Sequence, residues 1–330
     1  MYVLGIETSC DETAASIVKS GKIILSNVVS SSIKFHKKYG GIIPEIASRM
    51  QIETITQVVD SAIKEARARL KDINLVSVTC GPGLLGSLLV GISFAKSISL
   101  GLGLPLIGIN HLYAHIYANF LDNKTVPELP CVALVVSGGH TGLFYVKDFD
   151  EMILLGATLD DACGEAFDKV AKILGLGYPG GPFIEQAAKK GNSKKTRFSC
   201  SGTKKALDFS FSGIKTAVLY YIRDARRTTY STVSLIRDTA SSFQEAVIDT
   251  LIKKALLACK LKRTNVLVIG GGVTANIRLR EKFNREAKKE GIKCYFPSVK
   301  LCLDNAAMVA GLGYQLFKKG HRSDLDLNVN

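Results

Sequence analysis

Two histidines, His111 and His115, stand four residues apart in a stretch that favours a helix. Side chains at positions i and i+4 lie on the same face of an α-helix, so these two imidazole rings can hold one cation between them. A metal site needs a third ligand, and Asp304 is a candidate because it stands at the apparent start of the last helix. The alternative is a chance spacing of two ordinary histidines. We predict one divalent metal at His111, His115 and Asp304.

Three glycine-rich turns, at residues 81–83, 137–139 and 270–272, each follow an apolar strand. Backbone amides in such turns point outward, and beside a helix N-terminus they suit a phosphate group. Each turn alone also fits a tight connection, but the three together favour a nucleotide. None of them matches G-x-x-x-x-G-K-[ST], which excludes a P-loop, and residues 101–103 have too few glycines for a dinucleotide fingerprint.

Two polar residues near these turns have both a structural and a functional interpretation. Asp168 lies on an amphipathic helix that runs up to a glycine pair at 180–181. It either pairs with Lys172 at i+4 or accepts hydrogen bonds from ribose hydroxyls. Asn276 follows the triple glycine, where it either caps a helix or hydrogen-bonds a nucleotide.

The elements that must position these residues repeat in the two halves of the chain. Each half opens with a β-hairpin around a polar turn and ends with a strand, a glycine turn and a helix. Duplicated α/β domains of this kind place their polar turns in a shared cleft, at the carboxyl ends of the strands. The predicted strands are 1–6, 14–18, 22–29, 75–79, 131–136, 142–147 and 265–269, and the predicted helices that follow the strand-and-glycine turns are 85–100 and 276–289.

A change in pattern marks the boundary between the halves. Between Leu121 and Pro130 the periodicity is interrupted by Asp122-Asn123-Lys124 and by two prolines. We therefore predict two α/β domains, 1–125 and 126–330. The final helix, about 305–319, is expected near the cleft between them.

The composition indicates an intracellular protein with a polyanionic partner. The chain has 330 residues, 47% of them hydrophobic, with no apolar run long enough for a membrane span and no signal peptide, so we expect a cytoplasmic protein without membrane contact. Its eight cysteines show no C-x-x-C spacing and read as reduced thiols. The net charge is +14, which favours a nucleic acid or an acidic protein. Basic residues cluster at Lys34, Lys37, Lys38, Lys189, Lys190, Lys194, Lys195, Arg197, Lys204, Lys205, Arg226 and Arg227.

A series of motifs, taken in order along nearly the whole chain, resembles one family. The motifs are Gly5–Thr13 (GIETSCDET), Gly40–Arg49 (GGIIPEIASR), Gly81–Gly86 (GPGLLG), His111 with His115, Ser137–Thr141 (SGGHT), Phe209–Thr216 (FSFSGIKT), Gly270–Asn276 (GGGVTAN) and Asp304-Asn305. They are similar to those of the TsaD family of tRNA threonylcarbamoyladenosine transferases, once labelled O-sialoglycoprotein endopeptidases. The form of the second motif is typical of the bacterial and mitochondrial branch.

The resemblance implies a duplicated two-domain actin-like/sugar-kinase-like (ASKHA) fold with a central interdomain cleft. It implies a metal-dependent acyltransferase, an N6-L-threonylcarbamoyladenine synthase. The reaction moves the threonylcarbamoyl group of threonylcarbamoyl-AMP to the N6 amine of adenosine 37 in ANN-decoding tRNAs and releases AMP. The expected partners are tRNA and auxiliary subunits, namely a TsaB-like paralogue and a TsaE-like ATPase.

The resemblance also assigns site residues. The metal, iron or zinc, would be held by His111, His115 and Asp304. The adenylate would be bound by Val135, Val136, Ser137, Gly138, Gly139, Asp168, Gly181 and Asn276. The residues His140, Asp11 and Glu12 would face the same cleft as catalytic candidates. One departure is Gln51, which stands where the family usually has a histidine.

Three other functions remain as alternatives. A zinc protease would need H-E-x-x-H with glutamate as general base, but Leu112 occupies that position. An actin-like kinase or ATPase would hold ATP in the same cleft, but such enzymes bind magnesium through oxygen ligands and not through a histidine pair. A non-enzymatic nucleic-acid-binding module explains the charge and leaves the His-His-Asp set without a role.

Overall fold

The computed structural model describes residues 1–121, 125–200, 202–225 and 232–329. The chain forms two compact units. The first consists of Met1–Val126, Phe149–Glu151 and Pro297–Asn330, and the second of Pro127–Asp148 and Met152–Phe296. The C-terminal segment, with Asp304 and the last helix, therefore packs in the first unit together with His111 and His115.

The first unit is built on a five-stranded sheet with helices α1–α4 and α10. Strand β1 pairs antiparallel with β2 and parallel with β4, and the strand order is β3-β2-β1-β4-β5. Its core consists of the aliphatic side chains of these strands and of α2 and α3. The strands are β1 Tyr2–Glu7, β2 Glu12–Lys19, β3 Ile23–Ser31, β4 Ile73–Gly81 and β5 Leu106–Asn110, and the helices are α1 Ile33–His36, α2 Pro44–Glu65, α3 Leu85–Leu102, α4 His111–Tyr117 and α10 Ala306–Lys318.

The second unit repeats this arrangement. Strand β6 pairs antiparallel with β7 and parallel with β9, in the order β8-β7-β6-β9-β10. Helices α5–α9 supply the rest of its core. The strands are β6 Cys131–Val136, β7 Thr141–Asp148, β8 Glu151–Ala157, β9 Val266–Gly270 and β10 Lys293–Tyr295, and the helices are α5 Cys163–Leu174, α6 Gly180–Ala188, α7 Ser212–Ala225, α8 Thr232–Lys262 and α9 Ile277–Lys289.

The two sheets have the same order when their strands are numbered from one to five, third-second-first-fourth-fifth. This identity confirms the duplicated α/β plan that the sequence predicts. In both sheets the polar turn joins the first two strands, and the glycine turn follows the fourth strand and precedes a helix. Both turns therefore lie at the end of the sheet where the central parallel strands finish.

Helix α3 is apolar enough to be compared with a membrane span. By length and composition it is the one helix among the described residues that passes such a test, and a third of it is buried. It packs against α2 and β4, as a helix on the face of a sheet does. All eight cysteines are free thiols, most of them buried. The predicted interdomain interruption at Asp122-Asn123-Lys124 lies outside the described residues.

Candidate metal centre and nucleotide-binding turns

The three predicted metal ligands lie together in the first unit. One donor atom from each of His111, His115 and Asp304 falls within a set whose members are all within 4.8 Å of one another. Oδ1 of Asp304 lies 3.1 Å from Nε2 of His115 and 3.7 Å from Nε2 of His111. Both histidines are buried. Two imidazole nitrogens and one carboxylate oxygen form the donor set of a three-ligand zinc or iron site that keeps open positions for substrate.

A buried carboxylate, Glu7, orients the first of these histidines. Its Oε2 lies 3.1 Å from Nδ1 of His111 and accepts a hydrogen bond of 2.6 Å from the hydroxyl of Thr79. Its Oε1 accepts a bond of 2.6 Å from the amide of Ser9. Because an ionised carboxylate only accepts, Nδ1 of His111 carries the proton and Nε2 is left for a metal.

The charges at this site shift the pKa values of both partners. Burial lowers the pKa of His111, but the negative charges of Glu7 and Asp304 outweigh it and raise the pKa to about 9. Burial alone would raise the pKa of Glu7, but the charge and the hydrogen bond of His111 hold it below its ordinary value. A buried cation therefore belongs in this site, whether it is a proton or a metal ion.

Local capping places the ligands at helix starts. Asn110 caps α4, because its side-chain oxygen accepts hydrogen bonds from the amides of Leu112 and Tyr113. Asn305 caps α10 in the same way, and Asp304 directly precedes it. Helix α10 approaches strand β1 closely because Gly5 has no side chain: a Cβ there would clash with the backbone of α10.

The catalytic candidates Asp11 and Glu12 lie in the same unit as the metal ligands. Burial, followed by the charge of Asp304, raises the pKa of Glu12 well above its ordinary value. Burial also raises the pKa of Asp11. The hydrogen bond with Glu12 lowers this pKa, and the negative charge of Asp304 raises it. Ser31 donates a hydrogen bond of 3.3 Å to Glu12.

Gln51 on α2 fixes the turn that carries these two acids. Its Nε2 lies 2.9 Å from the carbonyl oxygens of both Cys10 and Glu12. Carbonyl oxygens only accept, so the amide nitrogen and not the oxygen must face them. This buried glutamine therefore has a structural role in the turn. The sequence alone did not predict that role.

In the second unit five of the predicted adenylate residues, Val135 to Gly139, form the end of β6 and the turn between β6 and β7. Val135 and Val136 are fully buried strand residues, so their side chains pack in the core and do not face a ligand. Ser137 closes the turn, with its amide 2.8 Å from the carbonyl oxygen of His140. A Cβ on Gly138 or Gly139 would meet open space, which leaves room for a ligand beside the backbone.

Asp168 holds the start of a neighbouring helix. Its Oδ1 accepts a hydrogen bond of 2.6 Å from the amide of Gly180, the first residue of α6. Gly181 follows, again with open space at its Cβ position. The sequence suggested an ion pair between Asp168 and Lys172 as one alternative, and it gave no sign of the hydrogen bond from Gly180.

Asn276 is the N-cap of α9, as the structural interpretation predicts. Its Oδ1 accepts from the amide of Leu279 at 2.9 Å, and its Nδ2 donates to Gln244 at 2.8 Å. The turn that precedes it begins beside β6, because Val135 pairs with Gly270. The structure thus brings the 137–139 turn and the 270–276 turn together within one unit.

The basic clusters predicted from the sequence are exposed where they are described. Lys34, Lys37 and Lys38 are in the first unit, and the lysines at 189–190, 194–195 and 204–205 are in the second. Arg226 and Arg227 lie outside the described residues.

Comparisons with known proteins identify the family. The profile described as "TsaD: tRNA N6-adenosine threonylcarbamoyltransferase" matches residues 23–311. A relative of that name from Dictyoglomus turgidum is 49% identical, and the alignment covers 100% of this chain and 98% of the relative. Another from Thermosipho africanus is 51% identical, again over 100% of this chain and 98% of the relative.

Solved structures with the same fold are much more distant in sequence. HypF from T. kodakarensis superposes with a TM-score of 0.64 at 14% identity over 97% of this chain, which spans 48% of the HypF chain. The activator of the 2-hydroxyisocaproyl-CoA dehydratase from Clostridium difficile gives a TM-score of 0.57 at 16% identity, with 97% of each chain covered. These similarities confirm the actin-like fold class. With a profile match over most of its length and relatives aligned along all of it, the chain belongs to the TsaD family of tRNA N6-adenosine threonylcarbamoyltransferases.

Proposed function

We propose that this chain transfers the threonylcarbamoyl group of threonylcarbamoyl-AMP to the N6 amine of adenosine 37 in ANN-decoding tRNAs. The observation that carries the proposal is the buried His111–His115–Asp304 set in a chain of the TsaD family. In the reaction, the N6 nitrogen attacks the carbonyl carbon of the mixed anhydride. A C–N bond forms, the C–O bond to phosphate breaks, AMP leaves and the amine loses a proton.

The donor set fits one divalent ion, iron or zinc. Imidazole suits both metals, and three protein ligands leave positions open for substrate oxygen atoms. His111, His115 and Asp304 would hold the ion, with Glu7 fixing the ring of His111. When bound, the ion supplies Lewis-acid polarisation of a substrate oxygen.

The residues of the second unit would hold the AMP part of the donor. The amides of Gly138 and Gly139 in the Ser137–Gly139 turn would face the phosphate, since charge accumulates there as AMP leaves. Asp168, whose Oδ1 accepts from the amide of Gly180, would bind a ribose hydroxyl. Gly181 and Asn276 complete the proposed adenylate site. The roles of Asp11, Glu12 and His140 in catalysis remain a proposal without an assigned step.

Two features weigh against the alternative activities. The carboxylate nearest to His111, Glu7, is occupied by Ser9, Thr79 and His111, so it is not placed as the general base of a protease. A kinase would hold magnesium through oxygen ligands, whereas the candidate ligands here include two imidazole nitrogens.

Auxiliary subunits are part of the proposal, in a cytoplasmic setting. Helix α3 contains a single charged residue, Lys96, and exposes Leu85, Leu89 and Leu100 at 64%, 42% and 70%. Its neighbour α2 exposes Ile52 at 64%. We propose that a TsaB-like paralogue covers these side chains, because a mostly apolar helix face with one lysine, on a protein of charge +14, suits a protein partner. A TsaE-like ATPase is the second expected subunit.

The proposal is tested by transfer from purified donor. The chain, with its auxiliary subunits, is incubated with threonylcarbamoyl-AMP that carries labelled threonine and with unmodified tRNA. Label in tRNA and free AMP are expected in equal amounts. A tRNA with guanosine in place of adenosine 37 is the matched control and should gain no label. AMP release without label in tRNA, or equal labelling of both tRNAs, would contradict the proposal.

A further inference from the structure

The segment that follows β3 combines lysines with exposed aromatic rings. This basic loop, residues 33–43, has no acidic residue and contains Lys34, Lys37 and Lys38, all exposed. Phe35 and Tyr39 are each 50% exposed, although rings of this size are usually buried. The ammonium of Lys38 lies 4.9 Å from the centroid of the Tyr39 ring.

The basic loop is held in place by a buried histidine, His36. Ser32 donates its hydroxyl proton to the carbonyl oxygen of Asp11 at 2.8 Å, so at 2.9 Å it accepts from Nε2 of His36. Nδ1 of the same ring accepts from the amide of Ile43 at 3.3 Å. One neutral tautomer satisfies both bonds. His36 therefore joins the two ends of the loop while Phe35 and Tyr39 remain outside.

The anchor point of the loop lies beside the metal centre. Both the amide and the hydroxyl of Ser32 bond to the backbone oxygen of Asp11. The next residue, Glu12, begins strand β2, and β2 packs against helix α10, which starts two residues after Asp304. The basic loop is thus attached to the turn that carries the catalytic candidates Asp11 and Glu12.

We propose that the basic loop is a contact site for the single-stranded anticodon loop of the tRNA, with Phe35 and Tyr39 stacking on unpaired bases and the lysines on phosphates. The proposal rests on the function proposed above and adds to it a substrate-binding surface. Exposed rings offer faces to unpaired bases, and a positively charged surface attracts the backbone. A paired stem presents no free base face, so the rings should distinguish loop from stem.

The test is fluorescence anisotropy with a labelled, unmodified anticodon stem-loop RNA. Phe35→Ala and Tyr39→Ala should each weaken binding about fivefold or more, as expected for the loss of one stacked base. Phe35→Tyr and Tyr39→Phe keep the ring and should bind as the wild type does. A blunt-ended RNA duplex, which has no loop, should bind all of these proteins equally. Melting curves and metal content verify that each variant is folded.

The lysines have a matched control on the same β-hairpin. Lys19 and Lys22 are exposed at the opposite end of the β2–β3 pair, about 20 Å away along the strands. Lys37→Glu with Lys38→Glu should lower the slope of log affinity against log salt by about 0.7 for each lost contact. Lys19→Glu with Lys22→Glu changes the net charge equally and should lower the slope less.

Separate outcomes overturn the two proposals. A wild-type protein that neither binds the stem-loop nor modifies tRNA contradicts the proposed function. A wild type that binds and modifies tRNA, with alanine variants of unchanged affinity, overturns the role of the basic loop. Equal weakening on the stem-loop RNA and on the blunt-ended duplex overturns it as well.

Discussion

Oε2 of Glu7 lies 3.1 Å from Nδ1 of His111, while Nε2 of the same ring lies 3.7 Å from Oδ1 of Asp304. The two nitrogens of one imidazole thus have different partners, the buried carboxylate of Glu7 on one side and the proposed metal ligand Asp304 on the other. A carboxylate behind a ligating histidine fixes its tautomer and increases its basicity. Glu7 comes from the end of β1 and His111 from the start of α4, so the site depends on the packing of the whole first unit.

The Glu7–His111 pair predicts that the conservative variant Glu7→Gln binds metal less tightly. Glu7→Gln keeps a hydrogen-bond acceptor but removes the negative charge, so metal affinity should fall about 10–100-fold. Competition titration with a chromogenic chelator measures the change. Glu45→Gln is the control, because the side chain of Glu45 is 72% exposed and pairs with Arg49, not with a candidate metal ligand. Equal affinities in wild type and Glu7→Gln would show that Glu7 does not support the metal.

The hydrogen bonds of Gln51 predict different outcomes for two substitutions. Gln51→Leu leaves the buried carbonyl oxygens of Cys10 and Glu12 without this donor, and the free energy of unfolding should fall by about 1–3 kcal/mol. Gln51→His restores an N–H donor and the residue usual in the family, so it should lose less. Urea denaturation of both variants measures the difference. A leucine variant as stable as the wild type would contradict the structural role of Gln51.

Asp168 should separate nucleotide binding from metal binding. Asp168→Ala removes the proposed ribose contact and should weaken binding of adenine nucleotides roughly tenfold, the loss expected for one or two hydrogen bonds. Metal content should stay unchanged, because Asp168 belongs to the second unit and the ligands to the first. Calorimetry measures the affinity, with Glu165→Ala on the same helix as the control. Unchanged nucleotide affinity would contradict the ribose contact and leave Asp168 with a structural role at the start of α6.

An ion-pair network in the second unit predicts a pH dependence of stability. Burial alone would raise the pKa of Glu245, but hydrogen bonds from Arg278 and Lys282 hold it below its ordinary value of 4.5. A lowered pKa stabilises the folded state above the unfolded pKa, and this contribution is lost as the pH falls through the folded value. Glu245→Gln should therefore cost about 2 kcal/mol near neutral pH, between the values typical of exposed and buried pairs.

The difference between wild type and Glu245→Gln should then shrink below about pH 4.5. Denaturation at a series of pH values measures it. Glu286→Gln, which removes a surface carboxylate with the two basic partners Arg285 and Lys289, is the control and should change stability little. A constant difference down to pH 3 would contradict the assignment to Glu245.

Sequence patterns predicted the parts of the fold that depend on neighbouring residues. The hairpin strands, the glycine turns and the helix of His111 and His115 follow from alternation, turn residues and helical spacing. Strand β6 was predicted with its observed bounds, Cys131–Val136. The last helix was predicted one residue too long at each end, because Asn305 and Lys319 are caps and not helical residues.

Contacts between distant residues could not be predicted in this way. Glu7 and His111 are 104 positions apart, and only the pairing of β1 with β4 brings the end of β1 close to α4. The one local signal was an acidic residue at the end of an apolar strand, where a charge needs a partner. Strand β8, Glu151–Ala157, was missed because its sequence lacks a regular alternation of polar and apolar residues.

The most direct test of the metal centre is elemental analysis of the purified wild type beside Asp304→Ala and Asp326→Ala. Asp326 is an exposed aspartate in the same unit, so its variant controls for the substitution itself. We predict about one iron or zinc ion per chain in the wild type and in Asp326→Ala. Most of that metal should be absent from a folded Asp304→Ala. Full metal occupancy in Asp304→Ala would contradict the His111–His115–Asp304 centre.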